Sequence, residues 1–270
     1  MLQKFKSALA LRVRQFLFAR STIVISNASR QELSGVKVLI LGVYLADRRN
    51  FSAHLIERFT ESSVLQVTQK WAALKGQPSS PLVAKYTKVI SENLVPKFQL
   101  LNQLLSGEDL GQYDFIIISD DDIVVPKGFL EGYIAAQLKV DFALCQPARA
   151  DHSFFDHRLM LREKAYFARE TRFVEIGPVF SMNKRAAALI MPFDEYSPMG
   201  YGYDFHWPVV MAKAGLKIGV IDAVSVDHSY RPQASGYSVT NNQSVMAAYL
   251  KKHPHLTYEE AMQVVRKINI

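Results

Sequence analysis

Cysteine is nearly missing from this chain, since Cys145 is the only one among 270 residues. A disulfide within the chain and a zinc site built from several cysteines are therefore excluded. Long uncharged apolar runs are missing too, because no stretch approaches the roughly 18 residues needed to cross a bilayer. Glycine and proline number only 13 and 11, which excludes collagen-like and linker-like chains. One cysteine fits a reducing compartment such as the cytoplasm.

The remaining composition is that of a globular protein. Apolar residues make up 49% of the chain and charged residues 21%, close to the average for soluble domains. The net charge is +7, but residues 1–20 supply +5 of it without any acidic residue, which leaves +2 for the rest. Because the body has so little excess positive charge, we expect no nucleic-acid partner.

Residues 1–30 form a basic segment that needs its own explanation. Apolar residues recur there at spacings of three and four, which predicts one stripe on a helix. The stripe consists of Leu2, Phe5, Leu9, Val13 and Phe16. A basic amphipathic helix can lie on an anionic membrane surface, so residues 1–20 predict peripheral contact with the inner face of a membrane. The alternative is a helix that packs on the rest of the fold.

Strands alternate with helices over the first 145 residues, which predicts an α/β sheet with mainly parallel strands. Predicted strands cover residues 36–45, 64–71, 113–119 and 142–145, and predicted helices lie near 52–61 and at 97–105. The second half is less regular. It shows a strand broken by Gly-Pro at 174–182, a helix at 184–191, a strand at 218–228 and a terminal helix at 256–267.

The strongest chemical signal is the segment YDFIIISDDDIVVP at residues 113–126. Its apolar run predicts a buried strand, and three carboxylates cannot all be buried at its end without a counter-charge. Ligands of open α/β sheets bind beyond the carboxyl ends of the strands. Asp120 and Asp122 alternate, so they point to the same side of an extended segment and suit a hard divalent cation. The alternatives are a water-facing acidic loop and a helix cap.

This pattern resembles the Asp-x-Asp motif of glycosyltransferases with the GT-A fold. The resemblance implies that Asp120 and Asp122 hold Mn²⁺ or Mg²⁺ on the diphosphate of a nucleotide-sugar donor, expected to be a UDP-sugar. It also implies that Asp121 assists or contacts the sugar. The physical chemistry agrees, because a bound cation neutralises the charge that develops on a departing diphosphate.

A second element follows more than a hundred residues later, in the segment VIDAVSVDHSYRP at residues 220–232. It places His228 at the end of a predicted strand. The resemblance implies that His228 completes the metal shell, and a neutral imidazole suits that position beside two carboxylates. Arg231 can meet phosphate oxygens with its fork of donors. An ordinary loop histidine and a surface ion pair are the alternatives.

The third element is the segment GYGYD at residues 200–204. It resembles the glycine-aromatic segment of inverting GT-A transferases, whose acidic residue is the base toward the acceptor hydroxyl. That role carries over only to Asp204, because Tyr203 stands where the family often has a second acid. The alternative is that Asp204 caps the following helix. Tyr201, Tyr203 and Trp207 are expected on the acceptor side.

Three further residues take weaker assignments. Gly177, in the segment EIGPVFS, is expected to let the acceptor approach the backbone. Lys97 begins the helix before the triplet strand, where related transferases often place a basic residue toward the nucleotide, and Asp47 follows the first strand, where such folds hold the nucleobase or ribose. The pairs Asp151-His152 and Asp156-His157 are interpreted as salt contacts within a loop.

Over about residues 35–235 the order of these motifs also resembles a glycosyltransferase-like domain family of bacteria and plants. The resulting expectation is a GT-A-like (Rossmann-like) α/β domain at 31–270, with a mixed, mainly parallel sheet flanked by helices. Its donor half would end near residue 146 and its acceptor half would follow. Polysaccharide biosynthesis is the expected setting. Metal-dependent phosphoester hydrolysis and a non-catalytic carbohydrate- or membrane-binding module are the alternatives.

Overall fold

The structure, a computed structural model, describes residues 2–231 and 239–269. Within this part the chain forms one nine-stranded sheet in the order β3-β2-β1-β4-β7-β5-β8-β6-β9. The strands are β1 (Lys37–Leu45), β2 (Gln66–Leu74), β3 (Thr87–Ser91), β4 (Phe115–Ser119), β5 (Phe142–Arg149), β6 (Ala168–Thr171), β7 (Val179–Asn183), β8 (Lys217–Val226) and β9 (Val264–Ile268). Strands β6 and β7 run antiparallel to the neighbours with which they pair.

Helices cover both faces of the sheet. They are α1 (Leu2–Arg20), α2 (Asn27–Glu32), α3 (Ser52–Thr60), α4 (Pro81–Tyr86), α5 (Lys97–Leu105), α6 (Phe129–Val140), α7 (Lys184–Ile190), α8 (Tyr203–Lys213), α9 (Val239–Lys252) and α10 (Tyr258–Ala261). One buried cluster lies between the sheet and α3 and α6, and a second lies between the sheet and α5, α7 and α8. The mixed, mainly parallel α/β sheet predicted from the sequence is thus confirmed.

The central strands follow directly from their side chains. Strand β4 is FIIIS, and all five of its residues are buried. Strand β1 has seven consecutive buried residues between its ends. A strand that is apolar on both faces is stable only between two helical layers, which explains why both lie in the middle of a parallel sheet. Gly42 of β1 leaves room for the indole of Trp71 on β2, because a Cβ at this glycine would stand 2.2 Å from the ring.

One predicted element is wrong. Residues 256–267 form no continuous terminal helix, because α10 ends at Ala261 and β9 then begins at Val264. Thr257 and Glu260 do provide a capping box for α10. The chain leaves the helix because β6 offers an open edge, with which β9 pairs in antiparallel register.

The sheet order brings three chain segments to one edge. Strands β4 and β8 both end there with their carboxyl ends, and β7 begins there because it runs antiparallel to β4. Ser119 at the end of β4 lies opposite Val179 at the start of β7. The segments just outside these strands, residues 120–122, 175–178 and 227–231, are therefore neighbours. The predicted donor and acceptor halves share this one continuous sheet.

Helix α1 carries the basic segment and lies against the body by its last turns. The backbone N–H of Ile23 donates to the Lys127 carbonyl at 2.9 Å, and Lys127 N–H donates to the Ser21 carbonyl at 2.9 Å. Val13 and Phe16 of the predicted stripe face outward, whereas the side chains of Leu2, Phe5 and Leu9 lie outside the described residues. No described helix combines the length and apolarity that crossing a membrane requires.

Candidate active site

The three aspartates follow β4 at the carboxyl edge of the sheet. The backbone N–H of Asp120 donates to the Pro178 carbonyl at 2.7 Å, which holds the triplet beside the first residue of β7. The side chains of Asp120 and Asp122 are 31% and 20% exposed, whereas that of Asp121 is 6% exposed. This alternation is the one expected of an extended segment, with the first and third carboxylates on the open side.

Asp120 is paired with the lysine that begins α5. Lys97 Nζ lies 2.7 Å from Asp120 Oδ1 and also donates to the Ile176 carbonyl at 2.9 Å. Burial raises the pKa of Asp120, and the Lys97 charge opposes that rise. Lys97 is thus the counter-charge that the first carboxylate requires.

Asp121 points inward, and protein groups occupy both of its oxygens. The Leu45 N–H at the end of β1 donates to Oδ2 at 2.8 Å, and the Arg231 guanidinium donates to Oδ1. Burial raises the Asp121 pKa to about 7, against the opposing charge of Arg231. This geometry ties β1, the triplet and the loop after β8 together. Both Asp121 oxygens accept hydrogen bonds from the protein, and the expected contact of Asp121 with the sugar stays a prediction.

The structure brings Asp122 and His228 together, although 106 positions separate them in the sequence. Asp122 Oδ1 lies 3.4 Å from His228 Nε2. In the described part of the chain, Asp122 Oδ1 and His228 Nδ1 are both buried without a hydrogen-bond partner. Burial opposes ionisation of Asp122, but contact with His228 and the charge of Arg231 outweigh it, so the pKa of this carboxyl is lowered. Asp122 is therefore an ionised carboxylate, and its unpaired oxygen lies beside an imidazole nitrogen, so both atoms suit a metal ion as ligands.

The imidazole is held in place by its own loop. Val124 and Asp227 exchange backbone hydrogen bonds of 2.9 and 3.0 Å, which join the segment after the triplet to the end of β8. The backbone N–H of His228 donates to Ser153 Oγ at 3.0 Å. Asp227 is fully buried and lies 3.0 Å from His152 Nε2. Asp151 forms the predicted salt contact within its loop, with Lys164 at the surface. His152 instead contacts Asp227, which lies outside that loop.

A divalent ion fits the Asp122–His228 pair by its donor chemistry. Two ligands about 2.1 Å from one ion can lie 3.4 Å apart, and the unsatisfied oxygen of Asp122 needs a partner. Among the described residues, no three His, Cys, Asp or Glu side chains are arranged to hold an ion by themselves. A bound molecule or water would supply further oxygen ligands to an ion at this pair.

Asp47 and its neighbours form the wall beside Asp121. Asp47 is about a third exposed and pairs with Arg48 at 3.0 Å. The Phe51 N–H donates to the Asp121 carbonyl at 2.7 Å, and the Phe51 ring meets Tyr230 edge-to-face with 4.9 Å between centroids. These two rings were not expected at the site. Nothing in their local sequence distinguishes them, since only the sheet order brings the two loops together.

Gly177 lies against the triplet itself. A Cβ at this position would stand 2.9 Å from Asp120 Oδ2 and 3.5 Å from Lys97 Nζ. The missing side chain thus makes room for the Asp120–Lys97 pair, on the side predicted for the donor. The same segment continues to Glu175, which is 5% exposed. Residues 175–177 therefore connect the triplet to a second cluster of charged groups.

Asp204 belongs to that second cluster. It stands in the first turn of α8, and its Oδ1 is buried and finds no hydrogen-bond partner within the described ranges. Burial raises the Asp204 pKa to about 7, the charge of Glu175 adds to the rise, and His157 opposes it. A carboxyl group with an unengaged oxygen and a pKa near neutrality has the properties of a general base.

Glu175 and two partners complete the cluster. Its carboxylate binds the buried Arg149 guanidinium, and His157 Nδ1 lies 2.9 Å from Glu175 Oε1. Burial acts to lower the pKa of His157, but the hydrogen bond to Glu175 outweighs it and the pKa is raised. Arg149 also donates to the Gly177 carbonyl at 3.3 Å. The sequence offered only the Asp156-His157 pair and a strand glutamate as signals, and neither spacing reveals this network.

Two residues expected on the acceptor side are core residues instead. Tyr203 is fully buried and Trp207 is 4% exposed, and their rings stack with centroids 4.7 Å apart. Tyr203 donates its hydroxyl to the Asp194 carbonyl at 2.5 Å. These rings give α8 its apolar contact with the sheet, so neither presents a face to an acceptor. Tyr201 stays at the partly exposed edge, and its pKa is raised by burial and by the Asp156 charge.

No protein-family model matches the chain, and no curated protein matches it. Solved structures do match. GalNAc-T7, crystallised with UDP, GalNAc and Mn²⁺, aligns with a TM-score of 0.55 at 11% identity over 87% of this chain and 52% of that one. Glucosyl-3-phosphoglycerate synthase from Mycobacterium tuberculosis, in complex with Mg²⁺ and UDP, aligns with a TM-score of 0.53 at 11% identity over 90% and 89%. The chain shares their fold.

A second structure of that synthase, with Mn²⁺, UDP and phosphoglyceric acid, gives a TM-score of 0.53 at 12% identity over 89% of this chain and 88% of that one. This chain spans about half the length of GalNAc-T7 and nearly all of the synthase. The GT-A-like architecture expected from the triplet is thereby confirmed. The resemblance to a bacterial and plant domain family stays a prediction.

Proposed function

We propose that this protein is a metal-dependent glycosyltransferase that moves a sugar from a nucleotide-sugar to a hydroxyl of a glycan or lipid-linked acceptor. The observation that carries the proposal is the short segment 175–177. It touches Asp120 of the triplet at one end, while at the other Glu175 lies close enough to Asp204 for its charge to raise that pKa. The proposed metal ligands and the proposed base thus lie near the two ends of one three-residue segment.

Asp122 and His228 are the residues that would hold Mn²⁺ or Mg²⁺, with Asp120 beside them. The ion would neutralise charge on a departing diphosphate. Two protein ligands leave room for phosphate oxygens, which suits a nucleoside diphosphate donor. Lys97 and Arg231 add positive charge beside Asp120 and Asp122. The UDP bound in the similar structures supports a UDP-sugar as the donor.

Asp204 is the proposed base in an inverting transfer. Its free oxygen would accept the proton of the acceptor hydroxyl while that oxygen attacks the sugar carbon and the diphosphate leaves. Asp47 and Phe51 border the region proposed for the nucleoside, Gly177 borders the region proposed for the donor sugar, and Tyr201 borders the region proposed for the acceptor. The similarity to these two structures supports sugar transfer, and we propose hexosyl transfer in polysaccharide biosynthesis as its setting.

The proposal also includes a location for the enzyme, which is argued from residues 1–20. Their +5 charge supports contact with the anionic inner face of a membrane, where lipid-linked acceptors are found. The enzyme would then work in the cytoplasm as a peripheral membrane protein.

Thermal unfolding with a panel of nucleotide-sugars tests the reaction class. We expect a UDP-sugar together with Mn²⁺ to raise the melting temperature by several degrees, because a ligand that binds only the native state stabilises it by mass action. Mn²⁺ alone and the UDP-sugar alone should give much smaller shifts, because neither completes the coordination shell. No shift with any nucleotide-sugar in the presence of Mn²⁺ or Mg²⁺ would refute the proposal.

A further inference from the structure

Helix α1 turns its apolar side chains away from the protein. Val13, Phe16 and Leu17 are 49%, 53% and 61% exposed. They recur at spacings of three, four and one, so they occupy one side of the helix. Val24, in the extended segment that follows, is 86% exposed. Surface helices normally bury such residues against the core. Here they are exposed, so this apolar face does not pack against the body of the protein as the structure describes it.

The inward side of the helix is held by polar contacts. Gln15 is buried, and its Nε2 donates to Ser229 Oγ at 3.3 Å. Near the end of the helix, Arg58 donates to the Ala19 carbonyl at 3.2 Å. The orientation of α1 is therefore set by hydrogen bonds on one side. The apolar residues on the other side are not needed to attach the helix to the body.

Basic side chains frame the outward face. At 100° per residue, Arg12 and Arg14 lie on the two flanks of Val13, and Arg20 lies in the same stripe. The Arg20 guanidinium sits 4.2 Å above the Phe16 ring. All three arginines are exposed, and the first acidic residue of the chain is Glu32. An apolar stripe bordered by arginines matches the layering of a bilayer surface, with acyl chains beneath anionic headgroups.

The charge also decides between two possible partners. A second copy of the chain would bring two strongly basic faces together, which is repulsive, whereas an anionic lipid surface is complementary to both the charge and the apolar stripe. The site lies directly behind the helix, because Ser229 follows His228 and Lys127 follows the triplet by five positions. A helix is about 10 Å thick, so a surface bound to the outer face of α1 lies close to the candidate site.

We propose that α1 docks on an anionic lipid bilayer through Val13, Phe16 and Leu17, with Arg12, Arg14 and Arg20 on the headgroups. This docking deepens the membrane location given under the proposed function, and the role of the site at that surface rests on the proposed reaction. The helix keeps its contact with Ser229 while docked, so the bilayer binds a preformed face. The acceptor is then drawn from the same surface or its immediate neighbourhood.

Co-sedimentation of the full chain with lipid vesicles tests the docking. We expect the protein to pellet with vesicles of phosphatidylcholine and about 30% phosphatidylglycerol, because anionic headgroups attract basic side chains, and not with phosphatidylcholine alone. Binding should weaken as salt rises, because screening shortens the reach of the arginines. The variant L17E should lower the partition coefficient about tenfold or more, and so should the double variant R12Q/R14Q.

The matched control is L189E. Leu189 on α7 is 46% exposed and lies on the opposite face of the sheet, so this variant should keep wild-type binding. Equal loss in L17E and L189E, equal binding to neutral vesicles, or no binding at all would each overturn the docking. A dimer in solution that L17E dissociates would instead assign the face to a second copy. Nucleotide-sugar binding is measured without lipid, so its failure leaves the vesicle result unaffected.

Discussion

The surroundings of two carboxyl groups at the site shift their pKa values in opposite directions. Burial and the nearby Glu175 raise the Asp204 pKa to about 7, whereas His228 and Arg231 hold the Asp122 pKa below its usual value. One group can exchange a proton near neutrality and the other stays ionised. A transferase of the proposed kind needs both, one for the acceptor hydroxyl and one for the metal.

The residue that most directly tests the metal site is Asp122. In Asp122→Asn the side chain keeps its shape but loses its charge, so we expect the Mn²⁺-dependent thermal shift with a UDP-sugar to fall by most of its size. The control Asp141→Asn removes a carboxylate that is 71% exposed and far from the triplet in the sheet, and it should behave as wild type. An unchanged shift in Asp122→Asn would exclude this residue as a ligand.

Asp204 gives a pH prediction. A base works in its ionised form, so with a pKa of about 7 the rate should rise with pH through 7 and level off above it. The variant Asp204→Asn should lose roughly 10²- to 10⁴-fold in turnover and the rising limb as well, while donor binding by calorimetry is retained. Retained turnover would contradict the base assignment, and absent turnover in both proteins would favour a non-catalytic binding module.

Sequence reasoning about single residues succeeded where strand ends decide the geometry. His228 could be placed beside Asp122 because both follow apolar strands whose carboxyl ends share one edge. It failed for Tyr203 and Trp207, because an aromatic-rich segment looks the same whether its rings face solvent or the core. Glu175 and His157 were not predicted as a pair, since their 2.9 Å contact arises from the course of a long irregular segment.

Among the strands, a buried ion pair holds β6 to β8. Arg169 and Asp222 are both about 1% exposed, and two hydrogen bonds of 2.8 and 2.9 Å join them. Arg169 also donates to the Leu159 and Leu161 carbonyls at 2.8 Å. This single guanidinium thus holds the irregular segment before β6. His157 belongs to that segment and contacts Glu175 at the site.

Removing one partner of this pair should be costly. In Arg169→Met the Asp222 carboxylate is left buried without its counter-charge, which costs about 3–5 kcal/mol of the free energy of unfolding. The double variant Arg169→Met/Asp222→Leu should recover part of that loss, because no charge remains buried. Urea denaturation measures both. A single-variant loss under about 1 kcal/mol would show that the pair is not a structural tie.

Helices and strands were predictable where they are long and apolar. Strands β1 and β4 and helix α5 appear within two residues of their predicted bounds. The terminal helix was wrong because Thr257 and Glu260 signal a helix start, while the strand that follows depends on β6, almost a hundred residues away. Pairing between distant strands leaves no local trace in the sequence.

At the scale of the whole molecule, the reactivity of the Cys145 thiol measures whether the protein is folded. It is completely buried in β5, and burial raises its thiol pKa to about 12. We expect no reaction with an aromatic disulfide reagent in native buffer, because the reactive thiolate is both scarce and inaccessible. In guanidinium chloride the thiol should react fully, with a midpoint equal to that of unfolding by circular dichroism. Rapid labelling of the native protein would contradict the buried position.

The placing of β7 has a consequence for synthesis on the ribosome. This strand lies between β4 and β5, yet it is made more than thirty residues after β5 begins. Until residue 183 has left the exit tunnel, two apolar strands face an open gap, each with an unpaired edge. The nascent chain must therefore protect the centre of its sheet for several seconds, and chaperone capture is most needed during that interval.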